Sequence, residues 1–469
     1  MRIRQPSNAW LRTLRLGMLL GLTTLMIPAA AAPPLPKRPE AQQEFWASYD
    51  KRDWTAAIEE AHSLVEQARA SNQPEQLANA LTLLGNAQLS GGDKVNAETS
   101  YREALQIIEL AGVRSGVALL DPLRGLGYSL ALLDRHQEAV PVLERALNIS
   151  HRTHGLFDLS QQGLLRQLAT SLFQTGRLAD GAKQMHYLQR VGERTHGAKD
   201  PRMSPVLCVI GDWYVDTGNF MLGRERYRDA IGILERKLGK HDPALVLPLR
   251  GLARSYVQEV YYATQGYQSL HDRLLPDPQP AESKGVNPKY ISSDGEKSLQ
   301  RALDILEARP DASPASMIDT LIQLGDWYQL KQQSQKALTH YRRAAALVES
   351  SDQPRPELAA VPLSFPVRIY YPLPQLAMRN RQLPPEEIEE KFVAVQFTVN
   401  DKGYVEDAKV IEQNGTERQA SEALHAVRSS RYRPKFVNGE PVQTEGLVNR
   451  EVFKVRKQAD EDEDEEGRS

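Results

Sequence analysis

Residues 210–230 read IGDWYVDTGNFMLGRERYRDA, and the small residues of this stretch return along the chain at a fixed interval. Gly211 belongs to a series Gly85, Gly127, Ala169, Gly211 and Ala253, spaced 42 residues apart, each preceded by Leu84, Leu126, Leu168, Ile210 or Leu252. Twelve residues further on stand Ala97, Ala139, Gly181 and Gly223, and nineteen on stand Ala104, Ala146, Leu188 and Ala230. Between them runs a bulkier series, Tyr101, Leu143, Met185 and Tyr227. Small residues are needed where helix backbones touch, and large ones where a hole must be filled. Self-similarity at one period predicts stacked helical hairpins, an α-helical solenoid.

The register extends both ways. Asp53, Trp54, Ala57, Ala61 and Leu64 repeat it slightly early, and Leu324, Gly325, Ala337, Tyr341 and Ala344 form a last copy, giving about seven hairpins over 42–350. Ala253 to Gly325 spans 72 residues, 30 more than one period, and Pro276, Pro278, Pro280, Gly285 and Pro288 mark an insertion at about 263–292. Turns within hairpins are expected at Gly92-Asp93, Asp134-Arg135, Gly176-Arg177 and Gly218-Asn219.

This order of small and aromatic positions, with Tyr214, Tyr256 and Tyr328 three after the ladder residue, resembles the tetratricopeptide repeat. The 42-residue period is similar to the longer, kinesin-light-chain subtype. The resemblance implies that the first helix of each hairpin lines a concave face. Three before the ladder residue that face carries Thr82, Arg124, Arg166, Cys208, Arg250 and Ile322. Guanidinium forks at one register suit carboxylates. The expected groove residues are therefore Arg124, Arg166, Arg250 and Cys208, and the expected ligand is an acidic or C-terminal peptide. The alternative is that the arginines pair with acids of their own, such as Asp121, Asp212 or Glu259. Trp213 and Trp327 share one repeat position and read as packing residues. His154 and His196, each before a glycine, read as helix ends without a metal.

Past Ser350 the helical period stops, and a proline-rich linker is expected over 351–370. Val393, Val395, Phe397 and Val399 alternate as a strand, Asn400-Asp401-Lys402-Gly403 turns it, and Val405 to Ile411 returns. Ala420, Ala423, Leu424 and Val427 make one apolar helix face, and Asn438-Gly439 turns into a last strand over Val442 to Val455. With Tyr371, Pro372, Arg428, Tyr432 and Pro434, this small α+β domain (β-β-α-β, 371–457) resembles the C-terminal domain of TonB energy transducers. The resemblance implies recognition by strand addition, in which a sheet edge accepts an extended segment of an outer-membrane transporter. Carried onto this chain, the edge is Leu447 to Val455, with Leu447, Val448, Arg450, Val452, Phe453 and Val455 as its site residues. Tyr371, Pro372, Arg428, Pro434 and Gly439 read as structural.

Arg2, Arg4, Arg12 and Arg15 precede an uncharged run from Leu16 to Ile27 and the alanines 29–32, the pattern of an export signal cleaved after Ala31. A proline-rich leader over 32–41 follows. The expected location is periplasmic, with membrane association only if the signal is retained. A formal charge of −2 supplies no field for nucleic acid. One cysteine excludes a disulfide framework and any multi-cysteine zinc site. Residues 458–469 hold the acidic run Asp460 to Glu466, an expected solvated tail whose rival role is to compete for Arg428, Arg431, Arg433 and Lys435. No phosphate loop, nucleophile elbow or metal motif is present, so no cofactor is expected and the chain reads as a protein-binding adaptor rather than an enzyme. Two alternatives use the same residues. One is a TonB-type transducer anchored by an uncleaved signal. The other is a hydrolase whose site would use Tyr267, His271 and Asp272 in the insertion.

Overall fold

In the computed structural model the described residues are 40–112, 116–264, 291–350, 363–378 and 387–457. The export signal, Tyr267, His271, Asp272 and the acidic run all lie outside them. The chain forms two compact units divided between Ile210 and Gly211.

The first unit contains helices α1 (Gln43–Asp50), α2 (Trp54–Ser71), α3 (Pro74–Ser90), α4 (Lys94–Leu110), α5 (Gly116–Leu132), α6 (His136–His154), α7 (Gln162–Gln174) and α8 (Leu178–His196). Helix α9 (Met203–Asp216) carries the division. The second unit continues with α10 (Phe220–Leu238), α11 (Val246–Thr264), α12 (Asp294–Glu307), α13 (Pro314–Leu330) and α14 (Ser334–Glu349). Consecutive helices pair into hairpins, the helical array that the repeat implies.

The turns inside the hairpins have one chemistry. A residue with positive φ stands at Arg52, Gly92, Asp134, Gly176, Gly218 and Gln332. The following amide bonds back to the carbonyl five residues earlier in every case: Asp53 to Ser48, Asp93 to Gln88, Arg135 to Leu130, Arg177 to Leu172, Asn219 to Tyr214 and Gln333 to Tyr328, at 2.7–3.0 Å. This is the left-handed helix stop, which satisfies carbonyls that the helix end would leave bare. Asp53, Asp93 and Asn219 then cap the next helix, each side chain accepting from the amide three residues on. His154 and His196 end α6 and α8, followed by Gly155 and Gly197 at positive φ.

The ladder positions are interior. Ala97, Ala104, Ala139, Ala146, Ala169 and Ala230 are at most 1% exposed, as are Tyr101, Leu143, Met185 and Tyr227. A Cβ on Gly85 would lie 2.7 Å from Tyr101 Cε1, one on Gly127 2.6 Å from Leu143 Cγ, and one on Gly211 2.9 Å from Tyr227 Cε1. Each glycine thus leaves the space that the bulky residue sixteen further on fills. Trp213 and Trp327 are also sealed in the core. In the first hairpin Val65, rather than the expected Leu64, takes the fully buried position.

The remainder of the second unit holds β1 (Val367–Tyr370), α15 (Gln375–Met378), β2 (Ile388–Val399), β3 (Val405–Gln413), α16 (Glu417–Ser429), β4 (Arg431–Arg433), β5 (Lys435–Val437), β6 (Glu440–Val442) and β7 (Thr444–Arg456). The main sheet is antiparallel in the order β3-β2-β7, with β1 paired to β4 and β5 to β6. Val393, Val395, Phe397 and Val399 of β2 pack with Ala420, Ala423 and Val427 of α16 and with Phe453, Tyr371 and Tyr432. Thr416 and Gln419 close a reciprocal capping box at the start of α16. Two details depart from the sequence reading. The stretch Val367–Tyr370, read as linker, is a strand. Asn438 and Gly439, both at positive φ, turn β5 into β6, and the chain breaks at Gln443 before β7 begins.

Gly85→Val is expected to lower stability by about 1–3 kcal/mol through overpacking against Tyr101. Gly92→Ala, whose Cβ would meet nothing within 4 Å, is expected to cost only the left-handed strain of about 1–2 kcal/mol. Denaturant unfolding of both variants measures the difference.

Candidate peptide-binding surfaces

Strand β7 is long because its partner is long. Ten consecutive pairs, from Ile388↔Arg456 to Phe397↔Leu447, run without a register shift. Its alternation is set by the core beneath it. Phe453 is fully buried, Leu447, Asn449, Glu451 and Val455 are half-buried, and Val448, Arg450 and Val452 are exposed. Of the six residues expected at the edge, Phe453 is therefore a core residue, and Leu447 packs against the same core. Val448 and Val452 keep 55% and 41% exposure on the outer face, flanking Arg450, whose guanidinium sits 3.5 Å from the Phe392 ring centroid. That stacking holds a cation flat on the sheet between two exposed valines.

The inner alternation is pinned by Tyr371. Its hydroxyl donates to the Glu451 carboxylate and accepts from Asn449 Nδ2 at 3.3 Å. Arg368 Nη1 bonds Asn449 Oδ1 at 2.9 Å, and its guanidinium stacks on the Tyr371 ring at 4.5 Å. Burial, then the Glu451 charge, pushes the Tyr371 phenol far above its ordinary pKa, so the hydroxyl keeps its proton and stays a donor. Arg428 serves the framework, donating to the Ala408 carbonyl at 3.2 Å.

The two margins of the sheet differ. No described strand pairs with the outer flank of β7. At the opposite margin β3 is interrupted by two register shifts against β2 and by Asp407 at φ 52°. It also presents Glu406, Lys409 and Glu412 as exposed charges. Bulges and charges are how sheets blunt an edge. Over 447–456 β7 runs straight, with Arg450 and Arg456 as its exposed charges.

The expected groove residues fall into different environments. In the first unit Arg124 is exposed and pairs with Asp121 at 2.9 Å, while Arg166 is half-buried. Burial raises the Tyr128 hydroxyl pKa, and both guanidinium charges oppose the rise, which places Arg124 and Arg166 around one phenol. Cys208 is only 2% exposed, packed as a small apolar residue, so it offers no surface to a groove ligand. In the second unit Arg250 is held by Asp319 at 3.2 Å, and its own side chain is 16% exposed. Of the acids read as possible partners, Asp121 takes Arg124, but Asp212 takes Arg254 at 2.7 Å and Glu259 takes Arg224. Among the described residues no cluster of three His, Cys, Asp or Glu is placed to hold a metal, and no helix is long and apolar enough to cross a membrane.

The sequence reading missed β1 and the seat of Arg433. Pro366 followed by alternating Val367, Arg368, Ile369 and Tyr370 carried a strand signal masked by the surrounding prolines. Arg433 stood in a basic run, yet it is 3% exposed and ion-paired to Asp326, so it is not open to an acidic tail.

Tyr371→Phe should destabilise the sheet domain by about 1–3 kcal/mol, because the half-buried Glu451 carboxylate loses a charged hydrogen bond. Arg450→Ala should cost about 1 kcal/mol or less. Chemical denaturation followed by circular dichroism measures both.

Residues 389–454 match the family of the Gram-negative bacterial TonB protein C-terminal domain. Among solved structures the array is similar to BtubC (BKLC) from P. vanneervenii, at 16% identity, covering 68% of this chain and 95% of that one, with a TM-score of 0.31. It is also similar to the C-terminal part of a TPR repeat-containing protein from Cytophaga hutchinsonii, at 12% identity over 66% and 95% of the two chains, TM-score 0.33. The apo quorum sensor NprR from B. thuringiensis is similar at 14% identity over 66% and 86%, TM-score 0.34. Likeness at this level sets no ligand. No curated protein matches the chain. The chain joins a tetratricopeptide-like helical array to a TonB C-terminal-like domain.

Proposed function

We propose that this protein is an exported, periplasmic, non-enzymatic adaptor whose C-terminal domain captures an extended protein segment by strand addition along β7. The observation that carries the reading is the contrast between the sheet margins: over 447–456 β7 pairs with β2 without a register shift and has no described strand on its other flank, while β3 is bulged twice and charged. An added strand would gain main-chain hydrogen bonds from the margin, and its alternate side chains would lie beside Val448, Arg450 and Val452. Apolar residues flanking an acidic one suit that row. A segment of an outer-membrane transporter fits the family match, and the arginine-rich start of the chain supplies the export reading.

The array's share of the function is an acidic or C-terminal peptide at Arg124 and Arg166. The Arg124–Asp121 pair is exposed on both sides, 45% and 63%. Such pairs are worth about 0–1 kcal/mol, so a ligand carboxylate can displace Asp121 at little cost. Arg250, engaged by Asp319, is left out of the proposal.

The direct test places a photoreactive residue at Val448 of the full chain in cells, with Lys409 of β3 as the control. Crosslinks to an envelope protein from 448 and not from 409 are expected; equal labelling from both would remove the strand-addition reading. Arg166→Glu should weaken acidic-peptide binding by about tenfold, measured by titration, and unchanged affinity would remove the array site. The mature N-terminus decides between adaptor and anchored transducer: Ala32 for the first, Met1 for the second.

A further inference from the structure

Inside the array each buried tyrosine of the bulky series is closed by the next hairpin. Tyr227 donates its hydroxyl to Asp212 Oδ1 at 2.6 Å. Arg254, one period after Asp212, donates to the same oxygen at 2.7 Å. Gly251 of that following hairpin approaches the Tyr227 ring so closely that a Cβ there would collide with it. Burial pushes the Tyr227 phenol well above its ordinary pKa. Burial alone would depress the Arg254 guanidinium, but Asp216 and Asp212 outweigh it and hold the charge. A tyrosine, an aspartate fifteen before it and an arginine from the next repeat thus make one triad, its ring fully buried and its Asp212 and Arg254 side chains 22% and 31% exposed.

The last hairpin has the first two members and no following repeat. Tyr341 donates to Asp326 Oδ1 at 2.7 Å, again fifteen residues apart. The third member comes from the sheet domain. Arg433 bonds Asp326 through Nε at 2.9 Å and Nη2 at 2.6 Å, and its guanidinium lies 5.8 Å from the Tyr341 ring. Phe436 covers the ring edge-on, at 6.1 Å between centroids, where a glycine of the next repeat would come. Tyr341 is fully buried and the Arg433 side chain is 3% exposed, against 31% for Arg254, so the terminal site is the more closed of the two. Here too burial opposes the Arg433 charge and Asp326 outweighs it.

Around this centre the fit continues. Gln329 Nε2 donates to the Lys402 carbonyl at 2.8 Å, and Arg342 pairs with Glu440 at 2.9 Å. Gly403, at φ 80°, is pressed between the Tyr432 carbonyl and Gln329, leaving no room for a side chain.

We infer that the TonB-like domain is the terminal repeat of the array: Arg433 and Phe436 occupy the places of an eighth hairpin's arginine and small residue and seal the end of the solenoid. A solenoid end left open exposes a stacking face, and arrays need a dedicated cap to stay folded and unassociated. The partner of this surface is therefore the chain's own last hairpin. The contact named here lies on β4, β5, the start of β6 and the 400–404 turn and uses no residue of β7, so it is independent of the strand-addition reading.

The test is hydrogen exchange on the full chain carrying Arg433→Met, Asp326→Ala, or both. Each single change should speed exchange over residues 314–349 by tenfold or more while 74–110 is unaffected. The double variant should be no faster than the faster single one, because both remove one contact. Asp326→Ala leaves the sheet domain's sequence intact, so it carries the test should Arg433→Met unfold that domain. Unchanged exchange over 314–349 in both single variants, or strictly additive effects in the double, would overturn the inference.

Discussion

The structure depends on one steric complement, repeated: a residue with little or no side chain, and sixteen positions later a ring or branched chain that fills the space. Gly85 with Tyr101, Gly127 with Leu143, Gly211 with Tyr227 and Gly325 with Tyr341 all meet this way. A helical hairpin cannot bury its apolar stripe alone, so stability comes from each copy roofing the one before. The polar group carried into that interior must then be satisfied. Tyr101 finds Asn86 at 2.8 Å, and Tyr227 and Tyr341 find aspartates at the same offset. An aspartate in that place brings a further need, a cation, which the next element must supply.

That need links the two folds of the second unit. Removing one partner of a buried ion pair typically costs about 3–5 kcal/mol, so the Arg433–Asp326 pair constrains the sheet domain more firmly than a surface contact would. The domain is not simply tethered behind prolines. It sits on α13 and α14 through a buried charge, a ring contact and a pressed glycine, and these contacts use no residue of the margin proposed to bind a strand.

The array was legible because a period is a redundant signal: small and bulky positions, turn residues and helix-ending glycines all report the same 42-residue register. Even the turns were readable, since a left-handed stop needs glycine or a tolerant residue such as Asp134. The sheet domain was legible where alternation met family wording, from Val393 to Val427. Single-residue consequences were not. Cys208 and Arg250 share a register with Arg124, yet one is core and one is engaged, because burial depends on neighbours from other hairpins. Phe453 looked like part of an edge, but a strand's two faces separate only once the core side is known. Arg433 looked like a surface cation, and nothing local to it in sequence names Asp326, more than a hundred residues away.

The claim most exposed to measurement is that β7 has an open flank. Residue-resolved amide exchange by NMR reads this directly. In the unliganded protein, amides along Leu447 to Val455 should alternate, those bonded to β2 slow and those facing outward fast, and a captured segment should slow the fast set. Uniform slow exchange along the whole strand before any ligand is added would mean that both flanks are already paired, and would contradict the account.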